Sequence, residues 1–177
     1  MYKVLLVTVG GSFQPIVTSI RTLQPDRVIF LCSDGDKGSK VQVIGEGTPC
    51  EVRRGTEIVE SLPNIPTQVG LGDRFQPDSD LILIQNPDDL SECYRLASAK
   101  INALQQESAE YEIIADYTGG TKTMSAALVL ASVDCGISLY VTVGTTRENL
   151  VRFERGESTR KVSTSWLSNR IRSTENT

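Results

Sequence analysis

The chain has 177 residues, 18 Lys and Arg against 22 Asp and Glu, four Cys and no His, which suits one soluble α/β domain. The absent histidine excludes Ser-His-Asp and Cys-His catalysis, a histidine metal site and a histidine general base, so any chemistry must use Lys, carboxylates, hydroxyls or ligand geometry. The net charge of −4 lacks the basic footprint of a duplex-DNA binder, and the widely spaced Cys32, Cys50, Cys93 and Cys135 suggest neither zinc nor a disulfide framework.

Val4–Val9 is a short continuous apolar run, as in a strand buried on both faces. Gly10-Gly11-Ser12 follows, Pro15 opens a short helix with Ile16, Val17, Ile20 and Leu23 on one side, and Arg27–Cys32 reads as the second strand. The stretch from Ser33 to Asp80 is the least legible: Val41–Ile44 and Ile65–Val69 look like short β-branched pieces, and Glu57–Leu62 like a helical turn. Leu81–Gln85 is a buried strand. Asn86-Pro87-Asp88-Asp89 then predicts a helix start, with Asn86 as cap, Pro87 in the first helical position and two carboxylates facing the positive end of the dipole.

Leu90, Tyr94, Ala97, Ile101 and Leu104 give that helix one apolar face. Glu112–Ala115 is a further strand. Thr121–Asp134 is a helix apolar nearly all round that stops at Gly136, so burial is expected. Ile137–Val143 and Leu150–Phe153 are strands joined so closely that they must run antiparallel. The sum is an α/β fold: a Rossmann-like, doubly wound, mostly parallel sheet with an antiparallel C-terminal edge hairpin.

Residues 1–144 carry 11 positive and 18 negative side chains, whereas residues 145–177 carry seven and four. The polar, basic stretch 157–177 reads as a solvated tail or linker. Only Val162, Trp166, Leu167 and Ile171 interrupt its polarity, the last three at helical spacing. Met1–Val9 runs straight into a strand without a secretory pattern, and the apolar stretch Met124–Val133 is too short to cross a bilayer, so the chain reads as cytoplasmic.

Open α/β sheets bind ligands outside the carboxyl ends of their strands. Two loops stand there: Val9-Gly10-Gly11-Ser12-Phe13-Gln14, and Asp116-Tyr117-Thr118-Gly119-Gly120-Thr121-Lys122, which enters the apolar helix. Small residues and backbone N–H groups at a helix N-terminus receive phosphate well. Lys122 adds charge, and Ser12, Thr118 and Thr121 add hydroxyl donors. Neither loop matches the P-loop or the dinucleotide fingerprint, so an ATPase or dehydrogenase is not supported. Asp88 and Asp89 read as helix-cap charges, Asp116 as structural and Tyr94 as core. Tyr117 and Phe13, beside the glycines, are the candidates for stacking on a base.

Asp116-Tyr117-Thr118-Gly119-Gly120-Thr121-Lys122-Thr123-Met124 resembles the signature of CRISPR-associated Rossmann-fold (CARF) sensor domains, and within them one subfamily. The first-strand Gly-Gly-Ser loop, the helix Asp88–Tyr94 and the segment Gly144–Val151 are similar in the same order. The resemblance covers residues 1–156. It implies a homodimeric sensor domain of type III CRISPR defence that binds cyclic oligoadenylate, most commonly cyclic tetra-adenylate, with cyclic hexa-adenylate as the other ring size. The ring would lie across the dimer two-fold axis. Carried over residue by residue, the ligand-binding positions are Gly10, Gly11, Ser12, Phe13 and Gln14 in the first loop, Thr118, Gly119, Gly120, Thr121, Lys122 and Met124 in the second, with Ser33 and Arg147 beside them. No cofactor or metal is implied.

The family's common HEPN ribonuclease uses an Arg-x(4–6)-His motif, which a chain without histidine cannot contain. The effector is therefore expected in another chain or in a removed segment, a membrane-spanning one included, unless the sensor stands alone. The alternative is a metal-independent ring nuclease that cuts cyclic tetra-adenylate to linear products with 2′,3′-cyclic phosphate ends. Lys122 would stabilise phosphorane charge and Ser12 would orient the ribose or phosphate.

Overall fold

A run such as Val4–Val9 can lie in a strand only if both faces are covered, and the chain covers them with helices on either side of one sheet. A computed structural model describes residues 1–144, 147–148, 152–153 and 157–164. In chain order the elements are β1 (Tyr2–Val9), α1 (Gln14–Leu23), β2 (Arg27–Ser33), α2 (Val41–Ile44), β3 (Cys50–Arg54), β4 (Glu57–Leu62), α3 (Ile65–Gln68), a 3-10 turn (Gly72–Arg74) and α4 (Pro77–Asp80). Then come β5 (Leu81–Ile84), α5 (Leu90–Glu107), β6 (Tyr111–Asp116), α6 (Lys122–Asp134), β7 (Ser138–Gly144), β8 (Arg147–Glu148), β9 (Arg152–Phe153) and β10 (Glu157–Val162).

The main sheet has the order β10-β7-β6-β1-β2-β5. All neighbours pair in parallel except β10 with β7. This is the Rossmann-like, doubly wound, mostly parallel sheet with an antiparallel edge that the sequence predicts. Alternation along β1 divides the core: Val4 and Leu6 join Cys93, Ala97, Ile101 and Leu104 of α5 and Met124, Ala127, Leu128 and Ala131 of α6. Leu5, Val7 and Val9 point to the opposite face, with Phe13, Ile16, Val17 and Ile20 around α1 and with Val43, Cys50 and Ile65 of the segment after β2.

Several local expectations are corrected. The antiparallel partner of β7 is β10, with Glu157 opposite Gly144 and Val162 opposite Leu139, not Leu150–Phe153. Arg152–Phe153 pairs instead with Arg147–Glu148 in a small separate ladder. The stretch expected to be a polar tail therefore supplies the edge strand. A strand there needs little apolar content, and exposed Arg160 and Lys161 guard its free edge against further pairing.

Val41–Ile44 and Ile65–Gln68 are single helical turns rather than extended pieces, and Glu57–Leu62 is a strand paired with Cys50–Arg54 rather than a helical turn. The cap of α5 is Asp89, not Asn86: its carboxylate accepts from Ser91 N at 2.9 Å and Glu92 N at 3.1 Å. Asn86–Asp89 forms a turn ahead of the helix, closed by Asp89 N donating to Asn86 O at 3.0 Å. Glu92 reaches back to Gln85 N at 2.8 Å and so ties the helix start to the end of β5.

Nor is α6 covered all round. Leu130 is 48% exposed, and Lys122, Ala126 and Leu130 form a solvent-facing row at four-residue spacing. Cys32 and Cys50 are buried free thiols, and burial pushes their pKa values up to about 12 and about 11. They serve as small apolar core groups. Trp166, Leu167 and Ile171 lie outside the described residues. Among the described residues no helix is long and apolar enough to cross a membrane.

Candidate functional site

The strand order reverses direction between β1 and β6, so their carboxyl ends open the crevice where ligands enter doubly wound sheets. The two glycine loops leave those two strands, and they touch. A Cβ placed on Gly10 would lie 2.6 Å from Gly120 N, so only glycine permits the contact. Gly119 packs still closer to β1: a Cβ there would lie 2.1 Å from Thr8 O. Its own carbonyl accepts from Thr8 Oγ1 at 2.7 Å and Ser125 Oγ at 2.8 Å. A trans peptide points its C=O and N–H in opposite directions, so this anchoring turns the N–H of Gly120 away from both hydroxyls.

At the mouth of α6 the Thr121 hydroxyl accepts from Met124 N at 3.1 Å and donates to Pro87 O at 2.7 Å. Thr121 is thus the cap of the helix and its link to the loop before α5, with its hydroxyl already engaged. Lys122 follows in the first helical position. Its side chain is exposed, and among the described residues its ammonium has no ion-pair partner. The N–H groups of Gly11, Ser12, Gly120, Lys122 and Thr123 likewise have no internal acceptor among the described residues. Free donors from two loops and one unpaired ammonium at a helix N-terminus make a receptor for anionic oxygen.

Asp116, at the end of β6, is 2% exposed and holds the second loop from beneath. It accepts from Ser19 Oγ at 2.6 Å, Thr118 N at 2.8 Å, the Thr118 hydroxyl and Thr142 Oγ1 at 3.2 Å. Thr118 Oγ1 in turn accepts from Thr142 N at 2.6 Å, and Thr142 Oγ1 meets Thr159 Oγ1 of β10 at 2.8 Å. The Thr118 hydroxyl is therefore a structural link from β6 to β7 in this structure. Phe13 is 3% exposed and sits in the core beside α1, so its ring is not presented for stacking. Met124 is 1% exposed and likewise packs inward. Tyr117 is half-buried at the edge of the other core, and Tyr94 is half-buried with its hydroxyl donating to Asp134 Oδ2 at 2.6 Å.

Gly11, Ser12 and Gln14 are exposed, and Gly10 is partly so. Ser33 ends β2 and exchanges hydrogen bonds with Ser39, Ser39 N donating to Ser33 Oγ at 2.9 Å and Ser33 N to Ser39 Oγ at 3.0 Å. Beside it Asp34, bonded by Lys40, Gln85 and Gly35 N, is held down to about pKa 2. Arg147 belongs to β8, and its side chain lies outside the described residues. An open apolar pocket of about 480 Å³ lies elsewhere, lined by Val43, Ile44, Pro66, Phe75 and Pro77.

One residue near the loops carries no sequence signal. Gln42, in the poorly legible stretch, donates from Nε2 to Gly10 O at 2.7 Å. The hydroxyls of Thr8, Ser19, Ser125 and Thr142 were equally unmarked, because only the folded sheet brings them to the loops.

No protein-family model matches the chain, and no curated protein matches it. Solved structures do. Csm6 of Enterococcus italicus, bound to cyclic hexa-2′-fluoro-hexa-dAMP, aligns with a TM-score of 0.62 and 13% identity over 96% of this chain and 44% of its own. Protein VC1899 of Vibrio cholerae aligns with a TM-score of 0.57 and 10% identity over 89% of this chain and 35% of its own. Can2 of Sulfobacillus thermosulfidooxidans, in complex with cyclic tetra-adenylate, aligns with a TM-score of 0.50 and 15% identity over 80% of this chain and 32% of its own. The chain shares their fold and spans less than half the length of each.

Proposed function

We propose that this chain is a CARF sensor domain of type III CRISPR defence, binding cyclic tetra-adenylate as a homodimer and controlling an effector outside these residues. The observation that supports it best is the contact of the two glycine loops at the switch point, beside Lys122, whose ammonium has no ion-pair partner among the described residues. The sequence motif and the shared fold agree with this reading. Gly10, Gly11, Ser12 and Gln14 would face the ligand from one loop, and Gly119, Gly120 and Lys122 from the other. Phe13, Thr118, Thr121 and Met124 would act from beneath, by packing and by their engaged hydroxyls.

The row Lys122, Ala126, Leu130 supports the dimer. A second copy lying on this face would cover Leu130 and bring a second Lys122 to the same two-fold ring. Leu130→Glu is expected to give a monomer in sedimentation with a far-ultraviolet spectrum like the wild type. A dimer that survives the substitution would place the interface elsewhere.

Ring cleavage is the second reading, favoured by the exposure of both Ser12 and Lys122 on adjoining loops. The adenosine 2′-oxygen would attack the adjacent phosphorus, the 5′-oxygen would leave and take up a proton, and a 2′,3′-cyclic phosphate would remain. Lys122 would offset the charge of the phosphorane. Incubation with cyclic tetra-adenylate for hours, with the products resolved, separates the readings. Recovery of the intact ring is the result expected of a sensor. Linear di-adenylate with a cyclic phosphate end, absent in Lys122→Ala, would make the protein a ring nuclease.

A further inference from the structure

The first loop is held from outside the glycine motif. Gln42 sits in α2, within the insertion between β2 and β5, and its Nε2 donates to Gly10 O at 2.7 Å. Its place is fixed on both sides of the backbone. Gln42 N donates to Ser39 O at 3.0 Å, Cys50 Sγ lies 3.7 Å from Gln42 O, and the next residue, Val43, is 1% exposed in the core. The start of the insertion is closed by the reciprocal Ser33–Ser39 pair and by the Lys40–Asp34 bridge. Gln42 is therefore carried on a rigid arm rather than a free loop.

The other end of the same amide is anomalous. Gln42 Oε1 is buried and has no hydrogen-bond partner among the described residues. Burying an amide acceptor without a partner is unfavourable, and an apolar side chain of the same length would avoid it. The Gly10 carbonyl also fixes which end of the amide is the donor, because an acceptor can bond only the NH₂ group. A group that breaks a packing rule beside a candidate site is explained when its one good contact serves that site.

We propose that Gln42 is a positioning residue for the first ligand loop. By holding the Gly10 carbonyl it turns the N–H of Gly11 the opposite way, because the trans peptide fixes the two as antiparallel. On its far side Gly10 abuts Gly120, so the loop is clamped between Gln42 and the second loop. The role rests on the cyclic oligoadenylate reading for its ligand, but the clamp itself is a property of the free protein.

Gln42→Met keeps the length of the side chain and removes the donor together with the orphan acceptor. The expected result is a melting temperature equal to or above the wild type, about tenfold weaker binding of cyclic tetra-adenylate, and backbone order parameters at Gly11 and Ser12 that fall from about 0.85 toward 0.6. A second variant, Gln42→Leu, guards against a side-chain packing accident. Unchanged order parameters in both variants would overturn the clamp. A weakening of binding that merely tracks a fall in melting temperature would reduce Gln42 to a structural residue. If the wild type binds neither cyclic tetra-adenylate nor cyclic hexa-adenylate, the ligand reading fails, and the order parameters still decide the clamp.

Discussion

Lys122→Glu is expected to abolish ligand binding while leaving the fold as stable as before. The side chain is exposed and unpaired among the described residues, so its replacement breaks no internal contact. A carboxylate in the first turn of a helix is in fact favoured by the dipole, by about 0.3–1 kcal/mol. The melting temperature should therefore stay level or rise slightly. Binding behaves in the opposite way. A charge-assisted contact to phosphate contributes about 1.5–3 kcal/mol, and a dimer would lose two of them. The loss should reach about 100-fold or more in Kd, since each 1.4 kcal/mol is tenfold. Titration calorimetry beside a thermal melt checks both halves. A collapse in stability would instead make Lys122 a structural residue.

Asp116→Ala should do the reverse, destabilising the protein without touching a ligand-facing side chain. The carboxylate accepts from Ser19, from the N–H and hydroxyl of Thr118, and from Thr142, all in a nearly dry environment. Its removal strands these donors, each buried unsatisfied group costing about 1–3 kcal/mol. A total near 4 kcal/mol corresponds to a fall of about 10 °C in melting temperature for a chain of this size. Asp116→Asn keeps one acceptor oxygen and should lose roughly half as much. A shift within about 2 °C for Asp116→Ala would mean that the network under the second loop is not what holds it.

These two residues show how far the sequence could be read. The strand, glycine loop and apolar helix around Asp116 and Lys122 were legible because a continuous apolar run, a tight glycine turn and a long apolar stretch ended by Gly136 each leave their own pattern. The hydroxyls were not. Thr118 and Thr121 look alike as donors to a ligand, yet the fold spends one on Asp116 and the other on capping α6. Thr immediately before a helical run was a signal for the second assignment. Phe13 beside two glycines suggested an exposed ring, but the start of α1 turns it into the core.

The insertion between β2 and β5 was obscure for a different reason. Its helices are four residues long, which is one turn, and one turn carries no period to distinguish it from a strand. Ile58 and Val59 of β4 are both about half exposed, so that strand shows no alternation either. The edge strand β10 was missed because a strand at the rim, bonded on one side only, can be made of Thr, Arg and Lys. Gln42 lies in the obscure segment, and only the folded chain brings it to Gly10.

In the proposed complex two copies of this surface receive one ring of linked adenylates. Titration of cyclic tetra-adenylate into the purified protein, read by calorimetry, tests it most directly. Saturable binding at one ring per two chains is the expected result, weakened as salt rises because phosphates are being neutralised. No heat of binding and no change in melting temperature with either cyclic tetra-adenylate or cyclic hexa-adenylate would contradict it.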